Sequence, residues 1–544
     1  MESKEADIPV LIVGGGLVGL SMALFLSQQN IRYKLIERHE NTSIHPKASG
    51  FNLRTMELYR ELGIKDLIQN QGEDLAKSHG WHTVHTLAEA NFSDENIDNT
   101  KDPKARMSKA LTNTISPEKF TSCSQNQAEP ILLEEANSRG GDLNFYKELI
   151  NFEQHKNYVS ATICNRLNGT EEKIKAQYMI AADGVKSPIR KLLDIPTKTE
   201  NVYGHIINIY FKADLSMYIK GHEFFGCNIT HEEASGTLFP VNNKDLWCFH
   251  VSYNPELGET IDDFDREYCY QLLRKALGLP NIDINIISIL PWIPKERITE
   301  RFQSERVFLV GDAAHEMPPT GGFGANTGIQ DAHNLAWKLA MVIKKQAGDD
   351  LLTSYEEERK PIAEFTIQQA RRIAESGKVS AIKSKNHQST SMNDHLIATV
   401  GYHYLSNAII SQQNEQNTTQ NFELNGKVGT RLPHIRAVYE NKNLSFIDLP
   451  KGEFTLILGE YDTRWMEAIE KIKEQFKINI NIYNIRRNGN LSVDKRDWER
   501  VYQANSSTVL LVRPDHFVCW RTDTNITSPQ HVLENILTKI LMVN

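Results

Sequence analysis

PVLIVGGGLVGLSMALFLSQQ, Pro9 to Gln29, is followed by YKLIE at Tyr33–Glu37. The first five residues form an apolar run suited to a buried parallel strand, and the apolar tail after the glycines suits a helix. Between them Gly14, Gly16 and Gly19 give GxGxxG. The first glycine permits a tight turn, the second lets a phosphate approach the backbone, and the third lets the helix pack closely on the strand. A phosphate bound there sits at a helix N-terminus, where free N–H groups and the dipole favour an anion. Glu37 follows at the end of the next strand, placed to accept a hydrogen bond from a ribose hydroxyl. Strand, turn, helix, strand and acid together predict an α/β dinucleotide site, without separating FAD from NAD.

Working outward, helical spacing recurs at RTMELYRELG before Gly63 and at Gln125–Ser138, with strands near Leu143–Tyr146, Tyr158–Asn165 and Lys173–Ile180. Tyr203–Val251 is rich in aromatic and β-branched residues and reads as an antiparallel sheet. The dinucleotide-type pattern then resumes with the strand ERVFLV, a Gly/Pro loop, and helical spacing over Ile329–Lys345 and Leu351–Ala374. This predicts a Rossmann-like domain built from 1–80, 120–200 and 300–375, interrupted by a sheet domain built from 81–119 and 201–299. Trp81–Phe120 is polar and irregular. Residues 376–425 read as a helical and polar linker region, with 411–425 its plainest linker stretch. FTLILG, INIYNI and STVLLVRPD, with helices near Trp465–Gln475 and Pro529–Met542, predict a small α/β domain over 426–544.

The 544 residues are 40% hydrophobic and 24% charged, a globular composition. A net charge of −8 argues against a nucleic-acid footprint. No apolar run reaches the roughly 18 residues that span a bilayer. The N-terminal residues enter a strand almost at once, which leaves no room for a signal peptide. The six cysteines never form CxxC and show no metal-ligand spacing, which suits reduced thiols, so a cytoplasmic location and no metal are expected.

Two further segments choose the cofactor. AADGVKSPIR carries Asp183-Gly184 after a strand, and VFLVGDAAHEMPPTGGFGANTGIQDAHNLAWKLA carries Gly311-Asp312 after another. With LIER at Leu35–Arg38 and SQNQAEPIL from Ser124, the chain resembles the class A flavoprotein monooxygenases, the family with the para-hydroxybenzoate hydroxylase fold, over residues 8 to about 375. The PPTGGFGANTG segment is similar to the branch acting on phenols and polycyclic aromatic polyketides.

The resemblance implies FAD as cofactor and NADPH or NADH as reductant, docking transiently without a domain of its own. O₂ is activated as a C4a-hydroperoxyflavin and one oxygen enters a phenolic or polycyclic ring. The cofactor-binding set is then Gly14, Gly16, Gly19, Glu37, Arg38, Lys47, Gln125, Asp183, Asp312, Pro319, Gly322, Gly324, Ala325 and Asn326. Asp312 can accept from a ribityl hydroxyl. Gly322 and Gly324 clear space for the isoalloxazine, and N–H groups near Asn326 can stabilise charge at N1/C2 of the flavin. Asp312 and Asn326 also read as ordinary helix caps, Asp183-Gly184 as a turn, and Gln125 as a surface cap. In HPKASG, Lys47 stands where the family usually has arginine, keeping the charge without the planar fork.

His315 reads as a packed structural residue. Tyr210, His222 and His250 lie in the expected sheet as candidates to meet a phenol, each equally readable as a core residue, and no catalytic residue is assigned. GTRLPH at Gly429–His434 and LLVRPDHFVCWR ending at Arg521 resemble the thioredoxin-like appendage of phenol and polyketide hydroxylases. Cys519 stands alone there, which predicts structure and not disulfide exchange. GYHY at Gly401–Tyr404 echoes the polyketide branch and is expected to reach the substrate cavity. A homodimer is also implied. An antibiotic-inactivating monooxygenase and a non-catalytic flavin-binding interaction protein are the alternatives.

Overall fold

The computed structural model describes residues 6–90, 113–375, 392–410, 422–485 and 490–543. Two central parts of the expected linker, 376–391 and 411–421, lie outside the described residues, as do 91–112 of the irregular stretch.

Five parallel strands form the spine in the order Val307–Leu309, Glu171–Ala181, Ile8–Val13, Tyr33–Ile36 and Asp142–Asn144. Ile8–Val13 is central and its last four residues are buried, which is why it reads as a continuous apolar run. Helix Leu17–Gln28 packs between Gln125–Ser138 and Gly324–Ile343. Buried from Leu17 almost continuously to Leu26, it is apolar all round, as a helix covered on several sides must be. Strands Lys147–Gln154 and Val159–Asn165 extend the sheet as an antiparallel pair. The first carries polar residues facing solvent and showed no apolar period.

The second sheet has six strands in the order Asn285–Trp292, His205–Lys212, Leu246–Tyr253, Gly236–Pro240, Gly226–Ile229 and Trp81–Val84. Its two faces differ. Ile207, Ile209, Phe211, Leu238, Trp247 and Phe249 form a core with Leu272, Leu273 and Leu277 of helix Arg266–Leu277. That helix was not among the sequence expectations. Asp265 caps its start by accepting from the Tyr268 N–H, and Gly278 ends it in the left-handed region.

The C-terminal sheet runs Ile480–Asn484, Phe454–Leu458, Val509–Val512, Val518–Thr522, the first pair parallel and the others antiparallel. Helices Thr463–Phe476 and Pro529–Ile540 pack together on it. This βαβ…ββα order is the thioredoxin-like arrangement. Cys519 is buried and burial pushes its thiol up, so no reactive thiolate forms there.

This domain is joined to the first by buried charges. Arg54, on helix Leu53–Glu61, donates to the Asp515 carbonyl and to His516 Nδ1 at 2.9 Å each. Glu358 receives Arg513 at 2.5 and 2.9 Å, Lys338 at 2.8 Å and Ser406 at 2.6 Å. Arg513 also pairs with Asp515. Tyr404 stacks on Phe517 with centroids 4.0 Å apart, and its hydroxyl accepts from Arg359. GYHY is therefore packed into this joint, contrary to the expectation that it reaches the substrate cavity: Tyr402 and Tyr404 are each 2% exposed.

Candidate functional site

The glycine turn is dictated by crowding. Gly14 has φ +115°, and a Cβ there would overlap the Ala182 carbonyl. A Cβ on Gly19 would overlap the Gly14 carbonyl. Gly16 is less constrained, with Glu129 Oε1 3.5 Å from where a Cβ would sit. The Gly15 N–H donates to Glu37 at 2.7 Å, and the other Glu37 oxygen accepts from the His39 N–H at 2.9 Å. Arg38 is half-buried beside it, its Nε 3.2 Å from His39.

Glu129 belongs to this site and was not singled out from the sequence. It accepts from the Leu17 N–H at 3.0 Å, from the Ser43 N–H at 2.8 Å and from Gln125 Nε2 at 2.6 Å. Gln125 and Glu129 share one face of helix Gln125–Ser138, and that i,i+4 spacing was the available signal. Burial raises the Glu129 carboxyl, against the pull of these hydrogen bonds and of Lys47. Lys47 is exposed, makes no hydrogen bond or ion pair among the described residues, and acts electrostatically on Glu129, His45 and Asp312.

Asp312 has an accessible side chain yet lies deep in the fold, as a residue lining an internal cleft does. It makes no hydrogen bond among the described residues, and burial raises its carboxyl despite His315 and Lys47. Asp183 behaves similarly. Its Oδ2 accepts from the Ile189 N–H at 3.1 Å, its Oδ1 is buried without a partner, and burial raises its carboxyl. Gly311 has φ +58° and is pressed against Val18 and Gly328, bringing Asp312 against helix Gly324–Ile343.

That helix starts without a side-chain cap, so its first N–H groups and its dipole face the glycine loop. Gly322 has φ +65° with open space where a Cβ would lie, so its backbone conformation, and not a protein clash, requires glycine. Gly324 has ordinary room, its would-be Cβ lying 3.8 Å from Met317; no steric demand from the protein selects glycine there. The Pro319 carbonyl accepts from the Gly322 N–H at 3.0 Å. Asn326 is 1% exposed; its Oδ1 accepts from the Asn52 N–H at 2.9 Å and its Nδ2 donates to the Gly322 carbonyl at 2.8 Å. Its side chain pins the loop while the half-buried Ala325 stays at the helix start.

The six-stranded sheet turns its other face to this cleft. His45 Nδ1 lies 2.8 Å from Ser288 Oγ, and Asn126 Nδ2 lies 3.5 Å from the Tyr210 hydroxyl, so the first domain packs on that face. In-register neighbours place Asn208, His250, Thr237, Leu290 and Ser288 there with Tyr210. His222 does not share it: it lies in the loop between helix Ser216–Ile219 and strand Gly226–Ile229. His315 is buried, its Nε2 2.7 Å from Asp331, which Arg359 also holds, a structural ion cluster as expected. Glu61, His333 and His516 bring three ligand-type atoms within 4.8 Å of one another. Arg54 can only donate to His516 Nδ1, which puts the ring proton on Nε2, facing Glu61 at 3.0 Å, so Nε2 has no lone pair to offer a metal.

A family model described as FAD binding domain matches residues 7–370, and one described as aromatic-ring hydroxylase, C-terminal, matches residues 425–542. The chain belongs to the class A flavoprotein monooxygenases, the FAD-dependent aromatic-ring hydroxylases. It is 34% identical to tetracenomycin A2 monooxygenase-dioxygenase of Streptomyces glaucescens, covering 98% of this chain and 97% of that one. It is 32% identical to aklavinone 12-hydroxylase of Streptomyces purpurascens, covering 99% of each. The solved ternary complex of aklavinone-11 hydroxylase with FAD and aklavinone superposes with a TM-score of 0.85 at 30% identity, covering 99% of this chain and all of that one. The protein is thus an FAD-dependent oxidoreductase acting on aromatic compounds. No helix among the described residues is long and apolar enough to cross a membrane.

Proposed function

We propose that this enzyme hydroxylates a phenolic, fused-ring aromatic polyketide, with NAD(P)H as reductant and O₂ as oxidant, in the cleft between Asp312 and the polar face of the six-stranded sheet. The observation that carries it is the pairing of Asp312, a carboxylate with no partner among the described residues, with the uncapped start of helix Gly324–Ile343. An acceptor for ribityl hydroxyls and a positive helix end for the flavin ring lie side by side. The residues fit FAD in other respects. Gly14 and Gly19 bring the first helix start to the surface of the turn, and Glu37 and Arg38 stand where the adenosine ribose would lie.

Bound FAD supplies the redox chemistry, taking hydride from the nicotinamide and activating oxygen. The chain's own residues bind and orient. Glu129 ties the Leu17 and Ser43 N–H groups and the Gln125 amide together beside the glycine turn, and Lys47 adds a positive field next to it. Asp183 Oδ1 offers a second acceptor to the cofactor. Asn326 fixes the glycine loop so that Gly322, Pro319 and Ala325 can lie along the flavin ring. The sheet and the loop together exclude water from the reacting ring.

The test is NAD(P)H consumption by the yellow protein against simple phenols, hydroxylated anthraquinones, tetracyclines and a rifamycin, with product masses. Stimulated consumption with a gain of one oxygen atom on the anthraquinones supports the proposal. The same gain on tetracyclines or rifamycin alone would replace it with antibiotic inactivation.

A further inference from the structure

The cleft-facing side of the six-stranded sheet carries a row of aromatic rings. Trp81 meets Phe239 edge-on with centroids 5.6 Å apart, Phe239 meets His250 at 4.7 Å, and His250 meets Trp292 at 5.8 Å. These four residues come from four different strands, and none of them belongs to the core behind the sheet. Within the row His250 is the polar member. Neither of its ring nitrogens makes a hydrogen bond among the described residues, although a half-buried imidazole would ordinarily find a partner. Directly opposite it in register is Asn208, whose side chain neighbours His45, and Asn208 Oδ1 and His45 Nε2 are buried with no hydrogen bond of good geometry. Buried unpartnered polar atoms gathered on one face point to a polar ligand.

The ring is held neutral. Burial, with His45 nearby, pushes His250 down to about 3, and burial with Lys47 pushes His45 down to about 4. A neutral imidazole keeps one lone pair free to accept, whereas an imidazolium can only donate.

We infer that His250 accepts the hydrogen bond of the substrate's phenolic hydroxyl, while the apolar row of Trp81, Phe239 and Trp292 packs against its fused rings. The inference rests on the polycyclic-phenol reading and names the group that selects the phenol within it. An O–H donated to His250 leaves more electron density on the ring, which is what an electrophilic oxygen requires of it. The geometry also sets orientation: the aromatic row holds the apolar body of the ring system and His250 fixes which edge carries the hydroxyl. An analogue of the same shape without the hydroxyl leaves the imidazole unpaired, and that loss is the source of discrimination.

The experiment measures binding of 2-hydroxyanthraquinone and of anthraquinone to the oxidised FAD-loaded enzyme, by perturbation of the flavin absorbance. The native protein is expected to bind the hydroxylated probe about tenfold more tightly, the net worth of one hydrogen bond. In His250→Phe the preference disappears while anthraquinone binding is retained. In His250→Gln, whose amide oxygen can accept, much of the preference remains. Trp81→Ala weakens both probes alike. Retention of FAD shows that each variant is folded, and His250→Leu serves if the phenylalanine does not fit. A preference that persists in both apolar variants overturns the inference alone. A native protein that binds neither probe overturns the polycyclic reading and the inference with it.

Discussion

Glu358→Gln removes one charge from a buried group of four. Glu358 and Asp515 are balanced by Lys338 and Arg513, and all four side chains are at most 1% exposed. The amide leaves one positive charge in surplus, and breaking a buried pair in this way costs about 3–5 kcal/mol. Burial already pushes Lys338 down to about 8, against the pull of Glu358. Once that pull is lost the lysine sheds its proton more readily, which relieves part of the strain and places the expected loss near the lower end, about 3 kcal/mol. The assay is guanidinium denaturation of the holoenzyme followed by tryptophan fluorescence. Glu470→Gln is the control: its partner Lys473, 3.1 Å away, is on the surface and worth less than about 1 kcal/mol. Lys338→Met added to Glu358→Gln restores charge balance and should recover most of the loss. A Glu358→Gln effect no larger than the control, or a double variant less stable than the single, would refute the reasoning.

Other expectations concern the same protein. Burial opposes ionisation of Glu358, yet Arg513 and Lys338 hold its carboxyl below the usual range. Its contribution is therefore complete above the unfolded value and lost as pH falls, so the gap between native and Glu358→Gln stability narrows below about pH 5, and the readier loss of the Lys338 proton in the variant narrows it again as pH rises towards 8. Gly14→Ala forces a side chain onto the Ala182 carbonyl at a positive φ, costing about 1–3 kcal/mol or more, and should yield protein with little FAD by absorbance. Asp312→Ala should weaken FAD binding by about tenfold or more, measured by equilibrium dialysis, as loss of a hydrogen bond to a charged group requires. Of the six cysteines Cys164 is half-buried and the others are buried, so a thiol reagent should label it first in the native protein, as peptide mapping would show.

Much of the architecture was legible because it is local. Helix Gln125–Ser138 matches its expected bounds because Ser124 precedes an apolar spacing and Gly140 follows it closely. The glycine turn was legible because crowding at Gly14 and Gly19 leaves a sequence mark. What escaped depends on distant contacts. Glu129 carries no mark of its own beyond its spacing from Gln125, since its meaning comes from Leu17 and Ser43. His222 and His250 look alike in sequence, and only the fold separates them, with His250 on a strand and His222 in a loop before one. Gly324 stands in a glycine-rich loop whose positive-φ positions are Gly321 and Gly322, a distinction that no pattern of glycines reveals.

The buried contact of Arg54 with Asp515 and His516 has a consequence for how the protein is made. Helix Leu53–Glu61 leaves the ribosome early with Glu57 already in place to pair the guanidinium, but the acceptors on its other side, the Asp515 carbonyl and His516 Nδ1, are synthesised more than 450 positions later. Until then two donors of that arginine keep water as their partner, so this side of the helix stays wet until the last domain covers it. Completion of the nucleotide-binding half is thereby tied to arrival of the last domain, and a chain interrupted before it would be held open to chaperones and proteases.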